Sequence, residues 1–256
     1  MPELHAGAVP VATYVAEPEL DPRLAPRPYL HPVRTLSGTV VTDELPADHP
    51  WHLGVSITVQ DVDGANLWGG RTYVRDQGYV WREDHGRIVG GPTRPVAGGF
   101  GQELSWLGPA GEILLREHRT ITAGAVPHGW ELIFAYELST PGPAPVTLGS
   151  PATNGREGGA GYGGFFWRLP AGSARATVGS GGEPHGSADP RLSVTVDDAY
   201  TLVFSGLAGD DRWFVRTDEY NGVCAALAYH DPLVIAPGTP LTRQIRVLVA
   251  DGRLPS

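Results

Sequence analysis

The chain has 256 residues, with 19 Lys and Arg against 28 Asp and Glu, and a formal net charge of -9. That balance excludes a nucleic-acid surface, which needs clustered cations to displace counterions from phosphates. The lone cysteine, Cys224, excludes an internal disulfide and a thiolate metal cage, and within VCAALAY it reads as a small hydrophobe rather than a nucleophile.

Elements follow in chain order. The opening MPELHAGAVPVATYVAEPEL lacks the basic and apolar regions of a signal peptide, and no run of about 18 apolar residues could span a membrane. A soluble, cytoplasmic protein is expected. Residues 1–20 read as an N-terminal extension, mobile like the glycine-rich stretch from Gly179 to Asp189. The 35 glycines and 24 prolines interrupt the chain too often for helices, and the intervening stretches are β-branched and aromatic. Strands are predicted over Thr39–Thr42, His52–Gln60, Arg71–Val74, Gly78–Arg82, Gly101–Leu107, Ile113–Thr122 and Trp130–Leu138. Further strands are predicted over Val146–Gly149, Gly164–Leu169, Arg175–Val178, Leu192–Val196, Tyr200–Leu207, Arg212–Tyr220, Val223–His230 and Leu241–Ala250. So many strands must close or stack, so residues 1–256 are expected to form one all-β domain, a large antiparallel β-sandwich with a concave ligand-binding face.

Four constellations could carry chemistry. In Asp48-His49-Pro50-Trp51-His52-Leu53-Gly54 a carboxylate and two imidazoles surround a proline turn. Leu53, Val55, Ile57 and Val59 alternate with Gly54, Ser56, Thr58 and Gln60, which places His52 on a polar, open strand face. Pro50 breaks the strand so that His49 can converge on the same side. Asn66-Leu67-Trp68-Gly69-Gly70-Arg71 then supplies an amide, an indole and a guanidinium, the palette of a sugar site. The other tryptophans read mostly as packing residues.

In ILLREHRTIT, Glu117 and Arg119 share a face with Ile113, Leu115 and Ile121. Two readings stand: a structural ion pair, or a general acid or base whose pKa is raised by burial. The stretch GSPATNGREGGAGYGGFFWR presents Asn154, Arg156, Glu157 and Tyr162 from a glycine-rich loop whose backbone N–H groups can approach a ligand. It is no phosphate loop, lacking GxxxxGK[ST] and a following helix. His31, in RPYLHPVRT, and His230, in AYHDP, each precede a proline at a segment boundary as His49 does, and could face the same cleft. His49 and His52 with one carboxylate could hold a divalent metal, although a metal-free site is favoured because no second ligand pair has diagnostic spacing.

The segments RPYLHPVRT, DHPWHLG, NLWGGRTYVR, GSP…GYGGFFWR, WFVR at 213–216 and LTRQIRVLVADG resemble a bacterial family of unknown function labelled "PmoA-like", in its actinobacterial branch. The similar segments run from about residue 27 to 253. A membrane oxygenase subunit needs spanning helices, which this chain lacks, so the label does not describe it. The resemblance implies an architecture similar to galactose-mutarotase-like β-sandwiches, whose concave sheets use a histidine and a carboxylate on pyranoses. It also implies oxidised sugars or glycosides as ligands, by analogy.

The leading expectation is a carbohydrate-active enzyme performing acid/base chemistry, by elimination or hydrolysis, on a sugar or 3-keto-glycoside. His49 or His52 would abstract a proton, and Glu117 or the other histidine would protonate the leaving oxygen. His31, Asn66, Trp68, Arg71, Arg119, Asn154, Arg156, Tyr162 and His230 would line the substrate site. No cofactor is required. An aldose 1-epimerase, a non-catalytic sugar-binding module and a metal-dependent site are the alternatives, and the sequence leaves a homo-oligomer open.

Overall fold

The computed structural model describes residues 1–254, and among them only strands, one short 3₁₀ turn at Pro22–Leu24 and loops occur. The first strands are β1 (Glu3–Ala6), β2 (Val9–Val15), β3 (Tyr29–Val33), β4 (Val55–Thr58), β5 (Asp61–Val62), β6 (Thr72–Val74) and β7 (Gly78–Val80). Next come β8 (Arg87–Gly90), β9 (Arg94–Val96), β10 (Gly99–Leu107), β11 (Ile113–Val126), β12 (Gly129–Ser139), β13 (Val146–Gly149) and β14 (Gly164–Arg168). The chain continues through β15 (Ala174–Val178), β16 (Arg191–Val196), β17 (Tyr200–Ser205), β18 (Arg212–Arg216), β19 (Gly222–Ala226), β20 (Leu233–Ile235) and β21 (Leu241–Asp251).

Two large antiparallel sheets result. One has the order β1-β2-β3-β4-β14-β19-β18; the other runs β15-β16-β17-β21-β12-β11-β10-β8, with β9 also paired to β10. They stack face to face through aromatic side chains. Phe134 of β12 meets Phe165 of β14 at 5.4 Å between ring centroids, and Phe204 of β17 meets Trp167 of β14 at 5.7 Å. Truncating such a fully buried aromatic costs about 3–5 kcal/mol, so these rings decide how the sheets seat on each other. The expected antiparallel β-sandwich is therefore the observed fold.

Alternation explains both faces of β14. Phe165 and Trp167 point into the sandwich, so Phe166 and Arg168 point outward. All five residues of β14 are nevertheless buried, because a layer of loops covers the outer face of this sheet. Phe166, Phe214, Cys224 and Ala226 form a second apolar cluster there with Trp68 and Tyr229. Burial pushes the Cys224 thiol up to about 12, in keeping with a packing role.

Several expectations need correction. Residues 3–15 are no loose extension: β1 and β2 pair with each other, β2 pairs with β3, and Tyr14 is fully buried. The 179–189 stretch is tied down through Gly186 N–H to Trp213 O (2.7 Å) and Trp213 Nε1–H to Asp189 O (2.8 Å). The strand expected over His52–Gln60 shortens to β4. Gly54, at φ +38, lies so close to Leu30 that an added Cβ would collide with its carbonyl oxygen. The polar face of β4 is also closed rather than open: Ser56 accepts from Arg27 Nε (3.2 Å) and the Thr58 hydroxyl donates to Leu67 O. The segment Thr39–Thr42 keeps only a bridge from Val40 to Arg34. The strands expected to run to Tyr220 and His230 stop at Arg216 and Ala226, which releases residues 217–221 and 227–230 as loops.

Candidate functional site

A cavity of about 830 Å³ lies over the outer face of the seven-stranded sheet. The turn Ala47–His52 forms one wall, and Trp68, Gly69 and Arg71 form the next. Tyr79 and Trp81, from the β6–β7 hairpin and its exit, face Arg156 and Tyr162 from the glycine-rich loop. The last wall is made by Phe214, Arg216, Asp218, Glu219 and Tyr220. It comes from the end of β18 and the loop after it.

The walls are held from beneath. Asn66 Oδ1 accepts from the backbone N–H of Trp68 (3.0 Å) and Gly69 (2.9 Å), and its Nδ2 donates to Thr72 Oγ1 (2.9 Å). Its amide is thus used up in shaping the 66–72 turn, and Asn66 is a scaffold for Trp68 rather than a ligand-binding group. Gly69 and Gly70 sit at φ +97 and +72, and a Cβ on either would stand 2.6 Å from Trp51. The Trp51 indole therefore rests on bare backbone. Arg27, 0% exposed, ties this layer together by donating to Trp51 O (2.9 Å), Trp68 O (3.1 Å) and Ala25 O (3.1 Å). No carboxylate pairs with it among the described residues, and burial pulls its pKa down to about 9.

The histidines are distinguished by their partners. Asp48 Oδ2 accepts from His49 Nδ1–H at 2.7 Å, which leaves the Nε2 lone pair of a neutral His49 free. His52, 2% exposed, lies in the opposite tautomer: Arg168 Nη1 donates to its Nδ1 at 3.2 Å. A guanidinium cannot accept, so the proton of neutral His52 is on Nε2. Burial holds the His52 pKa well below the usual imidazole value, and the nearby His49, Arg168 and Arg27 charges add to the effect. The two rings stack at 4.8 Å with 14° between planes. Arg168 also reaches both Asp48 oxygens at 3.3 Å and lies over the Tyr220 ring at 4.8 Å. Burial opposes the Asp48 charge, but the His49 hydrogen bond and Arg168 outweigh it, and its pKa falls.

Across the cavity, Arg156 Nη1 donates to Tyr79 OH (2.7 Å), which also bonds Tyr162 OH (3.0 Å). The Tyr162 ring packs against Trp68 with centroids 4.7 Å apart and 48° between planes. Trp81 stands at the rim, 51% exposed, with the Arg71 guanidinium 6.0 Å from its centroid.

The structure brings His49, His52, Trp68, Arg71, Arg156 and Tyr162 to one cavity and places the other candidates elsewhere. Glu117 and Arg119 are 1% and 0% exposed inside the sandwich. Arg119 Nε and Nη2 donate to Glu117 at 2.5 and 2.8 Å, and Trp106 Nε1 donates to Glu117 Oε2 at 2.7 Å. This is the structural ion pair of the two readings, and it lies between the two sheets beside Tyr14 and Trp106, away from the cavity on the outer face. His31 is bound to Thr42 Oγ1 (2.9 Å) away from the cavity. Asn154 donates to Asp61 Oδ2 (2.9 Å), so its amide staples the glycine-rich loop to β5. His230 is exposed against Tyr229. Glu157 is exposed and does not line the cavity. Among the described residues, no group of three or more His, Cys, Asp or Glu side chains is placed to hold a metal ion, and His49 and His52 gain no third ligand from this arrangement.

Sequence reasoning missed Arg168 and the 214–220 wall. Arg168 shares the outer face of β14 with Phe166 and so faces the histidines. The string FVRTDEY, read as part of a strand, brings an arginine, two acids and a tyrosine to the cavity at Arg216, Asp218, Glu219 and Tyr220 once the strand ends at Arg216.

The chain belongs to a family of unknown function, DUF6807, whose model matches residues 2–256. Among solved structures it is similar to a GH36 alpha-galactosidase, AgaA A355E from Geobacillus stearothermophilus in complex with 1-deoxygalactonojirimycin. Identity there is 12% and the TM-score 0.41, over 98% of this chain and 40% of that one. A polysaccharide lyase matches with 13% identity and a TM-score of 0.41, over 98% of this chain and 32% of that one. The alpha-galactosidase from Lactobacillus brevis matches with 10% identity and a TM-score of 0.37, over 82% and 33%. The chain thus spans less than half the length of each of these proteins. None of the curated proteins matches the sequence. Among the described residues, no helix is long and apolar enough to cross a membrane.

Proposed function

We propose that the protein is a carbohydrate-active enzyme that performs acid/base chemistry on a sugar or 3-keto-glycoside, with His49 as general base and His52 as a neutral hydrogen-bond donor. The observation that carries this reading is the pair of opposite tautomers at one cavity: an Asp48-oriented imidazole with a free lone pair stacked on a buried one that presents N–H. A base and a donor side by side are what removal of a proton beside a carbonyl requires. The surrounding aromatic rings can stack on pyranose C–H faces, and Arg71 and Arg156 have donors for hydroxyl groups. The PmoA-like resemblance points to the same ligand class.

For a 3-keto-glycoside the steps balance as follows. His49 Nε2 takes the C2 proton, and the C–H electron pair moves into an enolate whose O3 accepts a hydrogen bond from His52 Nε2–H. The enolate then re-forms the ketone as the C1–O bond breaks with formation of a C1=C2 double bond. The departing alkoxide takes a proton from the His49 imidazolium, which restores the base. Addition of water to the product double bond turns the net reaction into hydrolysis.

The test is incubation with a 3-keto-glucoside in D₂O, followed by NMR. Deuterium entry at C2 and release of the aglycone are expected, both lost in His49→Ala. Exchange that persists in His49→Ala would overturn the role of His49, and the absence of any exchange or release with the intact protein would overturn the reaction.

A further inference from the structure

A second hollow of about 490 Å³ adjoins the cavity and shares two lining residues with it, Arg216 and Asp218. One side is formed by Ala174 and Ala176 of β15 and another by Glu183 to His185 of the glycine-rich stretch. This hollow is built rather than incidental. His185 is wedged in by two glycines: a Cβ on Gly159 (φ +69) would stand 2.6 Å from His185 Nε2, and one on Gly186 (φ +79) would stand 2.8 Å from Tyr229 OH. Tyr229 OH and His185 Nε2 are themselves 3.1 Å apart.

His185 in turn orients Arg216. Its Nδ1 accepts from Val215 N–H (3.2 Å), so its proton is on Nε2 toward Tyr229, and Arg216 Nη1 lies against the ring, 3.2 Å from Nδ1 and 3.4 Å from Nε2. Burial and the Arg216 charge lower its pKa, keeping it neutral. Arg216 Nη1 also donates to Val215 O (3.1 Å), and the guanidinium lies 4.3 Å from the Phe214 centroid. Among the described residues Arg216 forms no salt bridge, and its Nε and Nη2 have no acceptor. A fork held this firmly with unused donors is preorganised for an oxygen ligand at the junction of the two hollows.

Size points the same way. The main cavity is near the upper end of the range of about 300–1,000 Å³ that holds drug-sized ligands, and one pyranose fills a minor part of it.

We infer that the ligand is an oligosaccharide of at least two sugar units, which passes Arg216 at a linkage and extends into the second hollow. This inference rests on the carbohydrate reading of the main cavity. It adds that chain length is recognised, and that Arg216 binds oxygens of the second unit.

Calorimetry with glucose, cellobiose and cellotriose, and with the parallel xylose and galactose series, tests it. The intact protein should bind the disaccharide of one series at least about ten-fold more tightly than its monosaccharide. Thr217→Trp and Ala176→Phe, which enlarge two residues lining the second hollow, should each reduce that ratio to within about three-fold, with thermal unfolding monitored to show that both fold. Equal affinity for all lengths, or a length preference that survives both substitutions, would overturn the inference while leaving the sugar site standing. Absence of binding in every series, and of binding of the 3-keto-glucoside as well, would overturn the sugar site and this inference with it.

Discussion

Two charged clusters, one inside the sandwich and one at the cavity wall, differ in how completely their hydrogen-bonding capacity is used. In the sandwich interior, Glu117 accepts from Arg119 and Trp106, Arg119 Nη1 donates to Tyr14 OH (3.3 Å), Tyr14 donates to Gln102, and Gln102 donates to Gly91 O (2.7 Å). The chain of donors ends on a backbone carbonyl, and none of these side chains keeps an unpartnered buried polar atom. At the cavity, the Asp48, His49, His52 and Arg168 cluster stays open. Among the described residues Arg168 Nε has no hydrogen-bond partner, being 3.9 Å from Asp43, and the hydrogen bonds of both imidazoles are made through Nδ1, none through Nε2. The difference separates a cluster that holds the fold from one that can work on a ligand: unused capacity at a cavity costs stability and is retained where something else binds.

The contrast can be broken experimentally, beginning with the largest effect. Glu117→Ala leaves Arg119 charged and buried, so urea unfolding should show a loss of about 3–5 kcal/mol, with turnover per folded molecule within about two-fold of the parent. A comparable loss of turnover would erase the distinction. His49→Ala should do the reverse. Its kcat/KM is expected to fall by about 10²–10⁴, and its unfolding free energy to stay within about 0.5 kcal/mol of the parent, as for other half-exposed positions. Gly70→Ala tests the support of the open cluster: its methyl group would press on the Trp51 ring, costing about 1–3 kcal/mol in the urea midpoint and weakening ligand binding in parallel.

The smallest effect concerns pH. His52 is held neutral in the folded state and titrates near its ordinary value once unfolded, so the unfolded chain binds more protons as pH falls below about 6.5. The folded state is therefore stable above that pH and progressively loses stability below it, until the lower folded pKa is reached. His185, whose pKa is also lowered by burial, acts in the same direction. Denaturant midpoints measured from pH 7.5 to 5.5 should decline, and His52→Gln should flatten the decline without removing it. An unchanged slope in that variant would show that His52 is not the neutral group inferred from its contact with Arg168.

Much of the fold was legible because long strands advertise their alternation. The Trp130–Leu138 segment falls short of β12 by one residue at each end, Leu241–Ala250 falls short of β21 by one residue at its C-terminal end, and Val146–Gly149 coincides with β13. The short N-terminal strands were hidden because β1 and β2 carry proline, histidine and alanine in place of an apolar stripe, and their burial is supplied by neighbours. The site was legible where residue types cluster locally, as in DHPWH and NLWGGR. It was not legible for Asn66, Asn154 and Glu117, since a polar side chain that binds a ligand and one that binds its own backbone or a neighbouring arginine look alike in one dimension. Ser56 and Thr58 misled for the same reason: small polar residues can line an open face or, as here, satisfy donors and acceptors beneath a second layer.

The distribution of the indoles has an optical consequence. Trp106, Trp130, Trp167 and Trp213 are fully buried in the sandwich, whereas Trp51, Trp68 and Trp81 line the cavity. Emission from the first group reports unfolding, and that from the second reports occupancy. Because Trp81 alone among the seven is more than half exposed, a polar quencher such as iodide should remove its signal first. Shielding of that fraction by an added sugar would then give a label-free titration of the site in the unmodified protein.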